Sequence, residues 1–439
     1  MTPVPLPVGS TEARPIDAGE RLVLLDTLRG FALCGVFISN VFMWFSGRAF
    51  LPKEQMDALL ANMSLLDKLL LPTVTVLVFG RFITIFSFLF GLGFAVQLGR
   101  AEARGGQVGG VYSRRLGVMF LLGLCHLFLI WYGDILTNYA LLGFGLLLFR
   151  KRTDRTLLVW AAVFVFVWPL LGQLVLKLPQ LLADTPEAAA AIAKAETDRV
   201  YASKAVTLAA FQHGSWLEVV RGAATFYLKD FLPMIGIGAF AIFGRFLLGL
   251  YAGRRRLFHD AAQHLGFFRK LLAWGVGLGL VGSSASVVLQ QLIIRKVLNP
   301  ETLPPWVGLV MSPLRNLGEL GVAAAYVSAI TLLFHRAAWQ RVLTVLAPVG
   351  RMALTNYLSQ SVISVFVFYG FGLGLITRLS PIVCILYCLG VFAVQGVFSH
   401  LWLSRFRFGP AEWLWRSLTY GKAQPMRRAP EAGVPVPAS

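Results

Sequence analysis

Along the 439 residues, long apolar runs alternate with short polar connections. A helix that crosses a bilayer needs roughly 20 mostly apolar residues. Ten stretches meet that test: 22–45, 72–99, 113–132, 134–150, 156–177, 231–252, 270–293, 308–334, 342–368 and 380–403. The first is too long for a signal-peptide core and no small-residue cleavage site follows it, so it reads as an anchor. The pattern predicts an all-α fold, a polytopic membrane helix bundle. Residues 1–21 form a Pro-rich polar tail, 22–403 the transmembrane domain, and 404–439 a basic tail that ends in Ala/Pro-rich sequence of disordered type. The longest polar interruption, 178–230, is Ala-rich and charged around 184–210. It predicts one or two amphipathic helices on the outer face, a small cap rather than a second domain.

Composition narrows the class. The chain is 57% hydrophobic and only 14% charged, against roughly a quarter charged in soluble domains. That excludes an ordinary soluble enzyme, a disordered chain and a disulfide-stapled scaffold. The charges are lopsided, 40 Lys+Arg against 21 Asp+Glu. In a soluble chain this excess would point to nucleic acid. Here it collects on alternate connections: Arg100, Arg104, Arg114 and Arg115; Arg150, Lys151, Arg152 and Arg155; Arg254, Arg255, Arg256, Arg269 and Lys270; Arg336 and Arg341; then Arg405, Arg407 and Arg416 after the last span. That is the distribution of the positive-inside rule, with both termini cytoplasmic. Nucleic acid is therefore not expected as a partner. Cys34, Cys125, Cys384 and Cys388 sit in apolar runs, which suits buried small hydrophobes. No Cys/His spacing calls for a metal or a disulfide framework.

Ionisable groups inside spans are expensive and are candidates for function, with helix-end snorkelling or interhelical contact as the competing account. Asp26 and Arg29 share a helix face in span one, and Asn40 lies near its far end. His126, near the end of span three, is joined by a short turn to Asp134, which opens span four. Asp134 alone is explained by capping, and His126 by an interhelical hydrogen bond. Together they also supply a tunable base with an orienting carboxylate. In span nine, Arg351 precedes Asn356, Tyr357 and Gln360, which line either a helix interface or a polar cavity. Arg81 and Arg245 lack an acid at helical spacing on their own helices, so they await an anionic ligand or acids on neighbouring helices. Both belong to an FGRF tetrapeptide that occurs twice, at 79–82 and 243–246. A four-residue repeat in a chain with 34 Phe arises easily by chance.

Four segments together resemble the YeiB-like family of bacterial inner-membrane proteins: LLDTLRGFALCGVFISN (24–40), GRFITIFSFLFGLGF (80–94), the stretch from His126 to Tyr139 with its GDIL, and GRMALTNYLSQS (350–361). The closing FGPAEWLWRSLTYG (408–421) fits the same family. The resemblance implies a multi-pass protein of the bacterial cell inner membrane. The LDTLRG element is also similar to the opening of transmembrane acyltransferases of the heparan-α-glucosaminide N-acetyltransferase type. Those enzymes take an acyl group from acyl-CoA at the cytoplasmic face and deliver it to an acceptor, often a sugar, on the far side. In their bacterial O-acyltransferase branch a His is expected at the position held here by Asn40. The catalytic His of this chain is then His126 or is absent.

The leading expectation is an acyltransferase-like enzyme with acyl-CoA as donor and no metal. His126 is the base and Asp134 its orienting partner. Asp26, Arg29 and Arg81 hold the donor, and Asn40, Arg351, Asn356, Tyr357 and Gln360 line the cavity. Expected partners are the lipid bilayer, a small-molecule, lipid or sugar acceptor, and a second copy of the chain in a homodimer. The alternative is a transporter or flippase for an anionic small molecule or lipid, which needs the arginines but no base. A membrane scaffold or partner subunit is the third expectation.

Overall fold

The computed structural model describes residues 22–103, 108–298 and 303–428. The expected N-terminal tail, Arg104 and the last part of the basic tail lie outside the described residues. Among the described residues the regular structure is helical, and the only pairing of extended backbone is an isolated antiparallel bridge between Phe406 and Arg427. Seven helices are long and apolar enough to cross a bilayer. Among the described residues the count rises to eight when the pair Trp216–Gly236 and Gly238–Arg254, bent by 50°, is taken as one span, and two shorter apolar helices are Leu136–Phe149 and Ala353–Phe368. Together they overlap the ten stretches read from the sequence. Outward-facing positions such as Leu148, Trp274, Leu280 and Val394 are exposed, which costs nothing when the surrounding solvent is lipid.

Helix α1 (Val23–Asn40) is the central strut. It is followed by the short surface helix α2 (Lys53–Ala61) and by α3 (Leu65–Leu77), whose N-terminus Ser64 caps by accepting from Asp67 N at 3.1 Å. The second expected span then breaks before α4 (Arg81–Ala103). Gly80 takes φ +78° there, and a Cβ on it would fall 2.2 Å from the Glu319 carboxyl carbon. Only glycine meets both conditions. Helices α5 (Val108–Leu129) and α6 (Leu136–Phe149) form a tight hairpin. They are followed by α7 (Asp154–Ala162) and α8 (Trp168–Leu181).

The segment expected as a cap is helical. Thr185 and Pro186 start α9 (Pro186–His213), and a Ser215–Glu218 capping box starts α10 (Trp216–Phe226). This pair seats Phe211 between the rings of Tyr132 and Tyr369, at 5.9 and 4.5 Å. Next come α11 (Leu232–Arg254), α12 (Leu265–Ile294) and α13 (Pro305–Phe334). The ninth expected span, 342–368, is divided into α14 (Ala337–Leu343), α15 (Ala347–Arg351) and α16 (Ala353–Phe368), with the break at Met352. The cause is close approach: a Cβ on Gly350 would lie 1.9 Å from the Asp26 carbonyl oxygen, so α15 is pressed against α1. After α17 (Pro381–Arg405) the chain does not continue as a tail. It forms α18 (Pro410–Tyr420), begun by Gly409-Pro410 and tied to α5 by Trp415 Nε1 donating to the Arg115 carbonyl at 2.9 Å. Of the cysteines, Cys384 and Cys388 are buried, Cys34 is half-buried and Cys125 is exposed, so the expectation of burial fails at Cys125.

The basic connections gather at one end of the bundle. Arg254 donates to the carbonyls of Phe149, Arg150 and Arg152, and Arg255 pairs with Asp154 at 2.8 Å. Away from that group, the two FGRF copies meet at α13. Gly80 of the first lies against the Glu319 carboxyl, while Arg245 of the second donates to Glu319 at 2.5 Å and to Asn316 at 3.3 Å. Arg81 donates to Ser283 on α12 at 2.7 Å. Removing one partner of a buried ion pair strands the other charge and costs about 3–5 kcal/mol. Glu319→Ala is therefore expected to lower the thermal unfolding midpoint of purified protein much more than Arg315→Ala, whose side chain is mostly exposed. Equal effects would remove the ion pair from its structural role.

Candidate active site at the junction of two cavities

The short connection between α5 and α6 fixes the pairing of His126 and Asp134. One carboxylate oxygen of Asp134 accepts from Thr137 N at 2.7 Å and so caps α6. The other lies 2.8 Å from His126 Nδ1. Both residues are 1% exposed. With Asp134 ionised, Nδ1 carries the ring proton and Nε2 is left as the basic nitrogen. That Nε2 is buried and has no hydrogen-bond partner among the described residues. The Tyr357 ring on α16 packs against the imidazole with centroids 5.1 Å apart, and its hydroxyl accepts from Ile135 N at 3.3 Å.

Two cavities converge beside this pair. The larger, about 280 Å³, is lined by Arg29, Arg100, Arg115, Arg351, Arg407 and Arg416, against two acids, Asp26 and Glu412. Its remaining wall is largely apolar, with Leu33, Phe86, Phe90 and Met119 among the lining side chains. Val36, Ile83, Ile135 and Tyr357 belong to this wall and also to that of the second cavity, of about 190 Å³. The second cavity holds Ser39, Asn40, Trp44, Trp131 and Asp134, and neither Lys nor Arg lines it. His126 lines neither cavity. It sits against Tyr357, which faces both, and Asp134, which faces the second.

The arginine-rich end is assembled from five separate parts of the chain: α1, α4, α5, α15 and the C-terminal element. Arg29 pairs with Asp26 on α1 at 2.7 Å. Arg115 on α5 donates to Gln97 at 3.2 Å and stacks 4.1 Å over the Trp415 ring. Arg351 ends α15, and Arg416 sits on α18, 4.7 Å over the Phe408 ring. Glu412 couples α18 to α16. One carboxylate oxygen accepts from Leu354 N and Thr355 N at 2.7 and 3.1 Å, and the other accepts from the Thr355 hydroxyl at 2.5 Å. It is a helix cap supplied from 58 residues away, placed where the dipole of α16 favours a negative charge. Burial pushes the Glu412 carboxyl above the usual carboxylate range, and the Thr355 and Leu354 hydrogen bonds pull it back.

Of the candidates read from the sequence, Asp26, Arg29, Arg351 and Tyr357 line the larger cavity, and Asn40, Asp134 and Tyr357 the smaller. His126 sits behind Tyr357 and Asp134, and three further candidates belong elsewhere. Arg81 lies in the wall between α4 and α12, bonded to Ser283, because the break at Gly80 turns it from the larger cavity. Asn356 donates to Ser399 at 3.0 Å and to the Val349 carbonyl at 3.2 Å. Gln360 donates to Gln395 on α17 at 2.8 Å. These two amides form a buried α16–α17 contact, a helix interface rather than a cavity wall. Missed as cavity residues were Arg100, Arg115, Arg407 and Arg416, which the sequence presents as topology signals, and Trp415 and Glu412. The Gly409-Pro410 start with Glu412 in the first turn is a helix-onset signal that marks 410–420 as structure.

The fold and site define a polytopic helical membrane protein with a buried His–Asp pair at the meeting of two cavities. Over residues 252–422 the chain matches the family model described as "Protein of unknown function (DUF418)". It is 34% identical over 422 residues to the uncharacterized protein YxaH of Bacillus subtilis, covering 94% of this chain and 98% of that one. It is also 29% identical over 414 residues to the uncharacterized protein YeiB of Escherichia coli, covering 92% and 98%. The chain belongs to this DUF418, YeiB-like family. No solved structure matches it.

Loss of the Glu412 cap is expected to loosen the start of α16 and with it Tyr357. Losing a buried hydrogen-bonded cap costs about 1–3 kcal/mol. Hydrogen exchange should therefore rise at Leu354 and Thr355 in Glu412→Ala while α12 and α13 stay protected. Uniform exchange across the bundle would show that α18 holds the whole fold rather than this helix end.

Proposed function

We propose that the protein is an integral membrane acyltransferase that moves an acyl group from acyl-CoA to a hydroxyl or amine acceptor in the bacterial inner membrane. The observation that carries this reading is the meeting of a guanidinium-lined cavity with a cation-free one at Tyr357, beside the His126–Asp134 pair. Polyphosphate demands fixed cations, and guanidinium cannot lose its charge. Phosphates at the arginines leave the acyl arm to lie along Leu33, Phe86 and Phe90 toward Tyr357. The acceptor enters the second cavity, where Asn40, Ser39 and the Trp131 N–H offer hydrogen bonds.

In the reaction, a shift of the Tyr357 ring that packs on His126 lets the acceptor reach Nε2, which takes the proton of its O–H or N–H, and Asp134 holds the resulting imidazolium in place. The acceptor atom attacks the thioester carbonyl, the C–S bond breaks, and the thiolate leaves with the proton returned by His126. Tyr357, which lines both cavities, donates its hydroxyl to the developing oxyanion. The gathering of basic loops at the large-cavity end supports a cytoplasmic entry for the donor and cytoplasmic termini.

Purified protein given radiolabelled acetyl-CoA and an envelope extract should yield an acylated product. His126→Ala should reduce the rate by about a hundredfold or more, the scale of a lost general base, while still binding CoA. Unchanged turnover in His126→Ala would remove the mechanism.

One observation favours transport as a second reading. Helices α3/α4 and α15/α16 are discontinuous at Gly80 and Met352, and each break borders a cavity or its wall, a device that transporters use for anions. Uptake into proteoliposomes that survives His126→Ala and fails in Arg351→Ala would decide for it.

A further inference from the structure

The proposed donor site contains one feature that phosphate binding and acyl transfer do not use. At the arginine-rich end, the Trp415 indole and the Arg115 guanidinium form a stacked pair at 4.1 Å within the cavity wall. The indole cannot swing freely, because its N–H is donated to the Arg115 carbonyl at 2.9 Å. Its helix is held in turn by Glu412 and by Arg114 donating to the Thr419 carbonyl at 3.5 Å. The Tyr112 ring lines the same cavity, and Arg407 and Arg416 flank Trp415 on the C-terminal element.

An anionic site made only for phosphate needs charge and N–H donors, not a fixed aromatic plane. Flat π-surfaces interleaved with guanidiniums are instead the chemistry that recognises a nucleobase beside its phosphates. We infer that Trp415, backed by Arg115, is the specificity-determining platform for the purine base of the donor. The protein then selects a nucleotide-bearing thioester over one carried on bare phosphopantetheine. This rests on the acyl-CoA reading and sharpens it, since a lipid diphosphate or a carrier-bound pantetheine arm offers no base to stack.

The test compares equilibrium binding of CoA with that of phosphopantetheine, the same molecule without its nucleoside half, to the full-length protein in detergent. Wild type should bind CoA more tightly. Trp415→Leu should weaken CoA by about tenfold or more, the scale of one base–aromatic stack, with phosphopantetheine changed by less than about twofold. Trp415→Phe, which keeps a ring but not the N–H, should recover most of the loss. Parallel loss of both ligands in Trp415→Leu would mean that the indole only holds α18 in place, and overturns the assignment. Equal wild-type affinity for the two ligands overturns it as well. CoA binding with the expected Trp415 dependence, but without acyl transfer to any acceptor, would leave the base platform standing and remove the enzymatic reading. Wild-type protein that binds neither ligand removes both.

Discussion

An arginine carried into a helical membrane bundle keeps its proton, so its charge must be met by an acid, by oriented polar groups or by something that arrives later. This constraint sorts the arginines of the chain into two populations. Arg245 is answered within the protein, by Glu319 and Asn316, and Arg81 by Ser283 and a main-chain carbonyl. Six others line the larger cavity together with two acids, Asp26 and Glu412; Arg29 pairs with Asp26 and Arg115 donates to Gln97. The first population holds helices together. The second gives one end of an otherwise apolar chamber a lining rich in guanidinium groups.

The helix breaks coincide with close contacts to neighbouring elements. At the first break Gly80 takes φ +78° with no room for a Cβ beside the Glu319 carboxyl, and just before the second Gly350 sits directly on the Asp26 carbonyl of α1. The second break exposes main-chain N–H groups at the start of α16, and Glu412 supplies their acceptor from another helix. The site is thus coupled to the C-terminal element. Arg351 lies just before the break, Tyr357 just after it, and α18 sets where both point.

Much of this was legible in the chain itself. The spans follow from run length, and the His126–Asp134 contact follows from a connection too short to place the two residues anywhere but side by side. The breaks at Gly80 and Met352 were not legible, because their causes, the Glu319 carboxyl and the Asp26 carbonyl, lie far away in sequence. Asn356 and Gln360 show a different difficulty. A polar face on a spanning helix has the same pattern whether it meets a cavity or another polar face, and only Gln395 and Ser399 on α17 decide between them. Trp415 and Glu412 were hidden by composition, since a basic stretch ending in Ala and Pro has the look of a solvated tail.

The placement of α18 has a consequence for how the molecule is made. Every helix that surrounds the larger cavity leaves the ribosome before α18 does. Until it does, Leu354 and Thr355 lack the Glu412 carboxylate as an acceptor, and the cavity lacks the side chains that α18 contributes. The contacts of Glu412 with Thr355 and of Trp415 with Arg115 are therefore the last parts of this wall that can form. The wall of the larger cavity is thus completed by the most C-terminal helix among the described residues.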